Sequence, residues 1–134
     1  MSLSDSFGDF ITRLRNGYMA GKSYAYVLHS KMNSNALAVL KKEGFIDDFI
    51  TMKINPADKF PVIKVFLKYN GNDAAIVEIK RISKPGRRVY SSIKDIKPIY
   101  NGFGMYLLST VKGIITNHAA KELNVGGEVL CSVF

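Results

Sequence analysis

The sequence predicts an α+β protein of two small lobes: N-terminal helices packed on a short sheet, then a mostly antiparallel β lobe with one short helix. Two early segments carry apolar residues at helical spacing, and several later segments alternate apolar and polar residues as strands do. The polar run at residues 70–73 separates the two halves and has turn chemistry. We therefore expect lobes at residues 1–70 and 71–134. Of the 134 residues, 47% are hydrophobic, which is enough for a folded core.

The first helix is predicted over residues 5–18, capped by Ser4 or Asp5 and ended by Asn16 and Gly17. Its apolar stripe consists of Phe7, Phe10, Ile11, Leu14 and Tyr18.

A second helix is predicted over residues 33–43, with Asn33 or Ser34 as its cap. Gly44 then supplies a left-handed stop, and Phe45 is expected to fold back onto the helix end.

Alternating segments predict strands at residues 26–28, 46–54, 62–69, 75–82, the apolar stretch before Ser109, and the segment from Glu128 to the terminus. Thr116 is expected to cap the short helix of the second lobe. The single cysteine, Cys131, is predicted to be a buried small hydrophobe that shares a strand face with Val129 and Val133.

Charge favours a polyanionic partner. Lys and Arg number 19 against 11 acids, a net charge of +8, and such a balance attracts polyanions over long range, although simple solubility is the alternative explanation. We expect no membrane partner, because there is no apolar run of spanning length and no helix with one lysine-rich and one aromatic face. The N-terminus resembles neither a signal nor a transit peptide, and one cysteine fits a reducing compartment.

Catalytic motifs are missing from the sequence. There is no phosphate-binding P-loop, and residues 102–104 begin a dinucleotide-like pattern that lacks its third glycine. His29 and His118 have no second ligand at metal spacing, and Asp47 and Asp48 would point to opposite faces of a strand. We therefore predict no enzyme, no cofactor, no metal and no small-molecule substrate, with a nuclease as the one enzymatic alternative left.

The strongest binding signal is the turn that contains Ser109, Thr110, Lys112 and Gly113. Adjacent hydroxyls beside a cation can hydrogen-bond to ribose hydroxyls, base edges and phosphates. In a basic chain without catalytic motifs, this combination indicates RNA.

A second signal is the basic turn that carries Lys84, Arg87 and Arg88, followed by Tyr90. A tyrosine beside arginines can stack on an unpaired base, although the same pattern also fits a solvated hairpin. Gly126, Gly127 and Glu128 form a third candidate. Near RNA, Glu128 would accept from a base amine or orient a basic neighbour, or it is only an exposed charge at a strand start.

These motifs together resemble protein eight of the small ribosomal subunit, in its bacterial and organellar form, over essentially the whole chain. The matching positions are Asp5, Asp9 and residues 12–17, 30–31, 39–46, 82–90, 104–110, 113, 120–121 and 126–128.

The resemblance implies a primary binder of the central domain of small-subunit ribosomal RNA, with neighbouring ribosomal proteins as further partners and a role in assembling the platform. It implies that the second lobe makes most RNA contacts, through the three motifs described above. It assigns a weaker N-terminal contact to Asp5, Arg13, Arg15 and Lys31. It places the protein in the small subunit, in a bacterial cytoplasm or alternatively a mitochondrial matrix or plastid stroma.

The chain departs from the family at Val111, where a third hydroxyl is usual. One expected hydrogen bond is then lost, a cost of about 1 kcal/mol. A free RNA-binding regulator or assembly factor that does not stay in the ribosome remains the alternative function.

Overall fold

The computed structural model describes residues 5–92 and 104–134. Ser4 and the Gly102–Phe103 pair, which entered the sequence predictions, lie outside these ranges. The chain forms two compact units, one ending at Ile76 and the other beginning at Val77. The predicted α+β class is confirmed.

Helix α1, Ser6–Met19, opens the N-terminal unit and is capped as predicted: the Asp5 carboxylate accepts a 3.1 Å hydrogen bond from the Gly8 N–H. The predicted stripe is buried. The predicted end at Asn16 and Gly17 is wrong, because Gly17 is a packing residue inside the helix. A Cβ there would lie 3.0 Å from Leu67 Cδ1, so glycine allows the helix to approach the sheet closely.

Helix α2, Lys31–Lys42, begins earlier than predicted, because Ser30 is the cap and its hydroxyl accepts from the Asn33 N–H at 3.0 Å. Asn33 is instead fully buried, and its amide donates to the Leu28 carbonyl at 2.9 Å. The predicted helix end is confirmed: Gly44 has φ +82°, and the Phe45 N–H donates to the Leu40 carbonyl at 2.9 Å.

The N-terminal sheet has the antiparallel order β1–β3–β2, with β1 at Tyr24–Leu28, β2 at Ile46–Met52 and β3 at Val62–Leu67. One face packs on the helices and buries the alternate side chains of β3. The polar turn at residues 70–73 joins two short strands, β4 at Tyr69–Asn70 and β5 at Asp73–Ala74.

The C-terminal unit contains β6 (Ile79–Arg81), β7 (Tyr90–Ser91), β8 (Met105–Thr110), β9 (Gly113–Thr116), α3 (Asn117–Leu123) and β10 (Gly127–Val133). The sheet order is β6–β10–β8–β9, and β7 also pairs with β10. Helix α3 packs on one face through Ala120, against Leu108 and Val129, and its predicted Thr116 cap is confirmed.

Two details of the C-terminal strands differ from the sequence predictions. The strand predicted at 75–82 is limited to β6, and just before it the N–H groups of Val77 and Glu78 both donate to the Phe134 carbonyl. Cys131 is fully buried as predicted, but it does not share a face with Val129. A β-bulge separates them, so that Val129 pairs with Leu108 and Cys131 with its neighbour Leu107.

No helix in the described ranges is both long enough and apolar enough to cross a bilayer.

Candidate nucleic-acid interface

Three neighbouring strands of the C-terminal sheet bring three of the predicted residues side by side. Glu128 on β10 pairs with Tyr90 on β7 and with Ser109 on β8. Directly paired residues of antiparallel strands point to the same face. This polar row, Tyr90–Glu128–Ser109, therefore lies on the face opposite to α3, because the next residues along β8 and β10, Leu108 and Val129, pack against that helix.

The polar row has a charged partner in Arg88. Its guanidinium donates to a Glu128 carboxylate oxygen at 3.1 Å, and the Glu128 side chain is only 15% exposed. Glu128 thereby holds Arg88 beside the row, which is the orienting role considered among its alternatives. Arg81 also lies in this electrostatic environment: burial and repulsion from Arg88 lower its pKa, while Glu128 opposes that shift.

Gly127 allows the start of β10 to approach the end of β8. A Cβ at this position would overlap the Ser109 carbonyl oxygen and lie 3.0 Å from the Thr110 methyl group. Gly126, just before it, is exposed. Only a residue without a side chain permits this approach, so Gly127 sets the position of Ser109 relative to Glu128.

The two hydroxyls of the turn have different surroundings. The Thr110 hydroxyl donates to the Gly113 carbonyl at 2.9 Å and accepts from the Lys112 N–H at 3.0 Å, so it closes the turn. The Ser109 hydroxyl has no hydrogen-bond partner within residues 5–92 and 104–134. Lys112 is exposed at the turn, and Val111 projects into solvent with 91% of its surface accessible. The free hydroxyl of the pair is therefore that of Ser109.

The basic turn is a short antiparallel bridge in which Lys84 and Arg87 exchange two backbone hydrogen bonds of 3.0 Å. Buried Ser83 anchors its base, because the Ser83 hydroxyl accepts from the Val89 N–H at 2.8 Å. The side chains of Lys84, Arg87 and Arg88 are exposed, and Tyr90 is 70% exposed. The turn thus presents cations next to an accessible aromatic ring.

The other four predicted residues belong to the N-terminal unit. Asp5 caps α1, and Arg13 is bound to Asp9 at 2.8 Å. Arg15 is half-buried, and Lys31 is exposed at the first residue of α2.

Two features of this interface escaped sequence reasoning. Arg81 gave no signal, because a single arginine in a strand looks like any solvated charge. The Arg88–Glu128 pair joins residues far apart in sequence, and only strand pairing reveals it. Within the described ranges, no three His, Cys, Asp or Glu side chains are grouped as metal ligands.

The arrangement places a free hydroxyl, an oriented guanidinium and an exposed ring along one row, and the basic turn carries further exposed cations. Such groups suit hydrogen bonding and stacking with a polyanion. The chain is thus a small basic α+β protein in which a polar row lies beside an oriented arginine.

Comparison with known proteins identifies the family. The family model described as ribosomal protein S8 matches residues 5–134. The chain is 49% identical to small ribosomal subunit protein uS8 of Wolbachia pipientis wMel over 134 residues, covering 100% of both chains. It is 47% identical to the uS8 protein of Rickettsia rickettsii strain Sheila Smith and 45% identical to that of Rhodospirillum centenum, again over 100% of each chain. The chain belongs to the ribosomal protein S8 family.

Proposed function

We propose that this protein is a structural component of the small ribosomal subunit that binds the central domain of its ribosomal RNA and supports platform assembly. Family membership supports the ribosomal role. The observation that carries the RNA-binding role is the polar row, with Arg88 held beside it and the free Ser109 hydroxyl at its end.

The two kinds of group in the interface have separate tasks in this proposal. Exposed cations such as Lys84 and Arg87 supply affinity through counterion release, without regard to sequence. Ser109 and Tyr90 supply discrimination, because they require unpaired bases and accessible sugar hydroxyls at defined positions. Thr110 acts indirectly by holding the turn.

A binding titration tests the proposal. The full chain is titrated against a central-domain fragment of small-subunit ribosomal RNA, with excess transfer RNA as competitor, at two salt concentrations. Tight binding that survives the competitor is expected. Binding that the competitor removes would contradict a site-specific role.

Matched variants test the site within the same titration. Ser109→Ala is expected to weaken binding to the fragment roughly fivefold, the equivalent of one hydrogen bond. Ser132→Ala is the control, because Ser132 is half-buried in the same sheet but pairs with Tyr106, away from the row. Equal affinities for the two variants would exclude Ser109 from the interface.

Retention in the subunit distinguishes the proposal from a free regulator. The protein is expected to sediment with small subunits after a mild salt wash, and recovery only in the unbound fraction would favour the regulator.

A further inference from the structure

The N-terminal sheet has a face that points away from α1 and α2, called here the outer face. Tyr24 and Tyr26 on β1 pair directly with Phe66 and Lys64 on β3, so these four side chains share it. The alternate residues of β3, such as Val65, are fully buried on the helix side. Tyr24 is 41% exposed, and Tyr26 and Phe66 are partly exposed. The outer face therefore presents three aromatic rings on two adjacent strands.

A lysine lies among these rings. Lys64 Nζ is 4.3 Å from the ring centroid of Tyr24 and 5.3 Å from that of Phe66. The rings of Tyr24 and Tyr26 meet edge to face at 5.4 Å. A cation held against exposed rings is the combination that proteins use to stack unpaired bases while neutralising the phosphate between them.

A groove with further cations adjoins the same tyrosines. It has a volume of about 510 Å³ and is lined, among other residues, by Arg13, Asn16, Lys22, Tyr24 and Tyr26. Arg13 is engaged with Asp9, but the Lys22 side chain has no ion-pair partner among the described residues. The volume falls within the range of small-ligand sites, and the lining offers a cation for phosphate and an amide for a base edge.

We propose that the outer face and the adjoining groove bind unpaired nucleotides of single-stranded RNA. Bases stack on Tyr24 and Phe66, while Lys64 and Lys22 contact the phosphates. The inference rests on the proposed function only in taking RNA as the ligand, because its residues lie in the N-terminal unit and not in the polar row.

An apolar protein surface is the competing occupant, because Ile50 on β2 also lies on this face and is exposed. RNA is favoured because the rings and the cations occur together on β1 and β3, next to the groove. A protein that docked there would bury the Lys64 ammonium at a large desolvation cost, unless it supplied a carboxylate.

Substitutions at Tyr24 separate the two occupants. Tyr24→Leu keeps an apolar side chain but removes the aromatic ring, whereas Tyr24→Phe keeps the ring. The full chain is titrated with a short fluorescent oligouridylate strand and with duplex RNA of the same length. Tyr24→Leu is expected to weaken binding to the single strand about tenfold, with Tyr24→Phe unchanged and duplex binding equal in all three proteins. Thermal unfolding verifies that each variant is folded.

A second pair of variants keeps the test decisive if Tyr24→Leu is unstable. Lys64→Gln is expected to weaken binding to the single strand, and Lys64→Arg to retain it. Equal oligouridylate affinity for wild type, Tyr24→Leu and Lys64→Gln would overturn the inference. Neither the Tyr24 ring nor the Lys64 charge would then contribute to binding.

The outcome is separable from that of the proposed function. Ser132→Ala, which lies outside both the polar row and the outer face, should leave oligouridylate binding unchanged. If the wild-type chain does not bind the ribosomal RNA fragment specifically, but Tyr24→Leu still weakens oligouridylate binding, the proposed function alone is refuted. If the wild-type chain binds that fragment specifically, but Tyr24→Leu and Lys64→Gln do not change oligouridylate binding, this inference alone is refuted.

Discussion

Single residues determine the geometry of the polar row, and Gly127 is the clearest case. A Cβ at this position would collide with the Ser109 carbonyl group in the backbone of β8. The neighbouring atom belongs to a paired strand and cannot rotate away as a side chain would. The close approach of two strands therefore depends on one position.

Gly127→Ala is expected to lower the free energy of unfolding by about 2 kcal/mol, the usual size of an overpacking penalty. Urea denaturation measures the change. Gly86→Ala is the matched control, because a Cβ at Gly86 meets nothing within 4 Å and the residue does not have positive φ. If the two variants are equally stable, the strands are not as close as described.

Two buried acids make the fold sensitive to alkali. Burial raises the pKa of the Cys131 thiol to about 12 and that of Tyr18 to about 12, whose hydroxyl donates to the Phe45 carbonyl at 2.6 Å. The unfolded chain loses the thiol proton near its ordinary pKa of 9.0, while the folded chain retains it. The stabilisation from the protonated thiol is therefore complete below pH 9 and is lost as pH rises toward 12.

Between pH 8 and pH 10, the free energy of unfolding of the wild type is expected to fall by about 1.4 kcal/mol more than that of Cys131→Ala. This is the free energy that corresponds to one pH unit above the pKa of the thiol in the unfolded chain. Urea denaturation at the two pH values measures both losses. Equal losses in the two proteins would show that the thiol titrates normally in the folded state.

At the scale of elements, helix starts depend on single polar caps. All three described helices begin with a side chain that accepts from a backbone N–H, from Asp5, Ser30 or Thr116. The sequence predicts two of these caps and misplaces the third, because residues 30, 33 and 34 are all of types that cap helices. The Asn33 side chain is buried and donates to the Leu28 carbonyl, so Ser30 is the residue that caps the helix.

Ser30→Ala is expected to destabilise the protein by about 1 kcal/mol through loss of the α2 cap. Asn35→Ala provides a control of opposite sign within the same helix: Asn35 is exposed, and alanine there raises helix propensity by a few tenths of a kcal/mol or more. Thermal unfolding compares the two. If Ser30→Ala does not change the stability, Ser30 is not the cap, and the helix begins nearer to Asn33.

At the scale of the whole molecule, the excess positive charge is expected to dominate general RNA affinity. The net charge of +8 predicts binding that weakens steeply with salt. The groups proposed to discriminate between RNAs, Ser109 and Tyr90, are uncharged, so the salt dependence of binding is expected to separate the two contributions.

Combining Lys84→Gln with Arg87→Gln is expected to reduce the slope of log affinity against log salt by about 1 for each lost phosphate contact. Affinities for the ribosomal RNA fragment and for transfer RNA should fall together. Ser109→Ala should lower only the former and leave the slope unchanged. The same slope change for both sets would contradict the division between affinity and discrimination.

The amino-acid sequence was sufficient to predict the α+β class, the helices with two of their three caps, the Gly44 stop and the burial of Cys131. These features depend on residue spacing and on local backbone chemistry, which neighbouring residues carry. The three-dimensional fold was needed to show that Tyr90, Glu128 and Ser109 form one row and that Glu128 holds Arg88. It also decided that Thr110 closes the turn while Ser109 stays free, and that a bulge turns Cys131 away from the face of Val129. The physical reason is strand register: pairing between distant segments sets which side chains meet, and a shift of one residue reverses the face to which each side chain points.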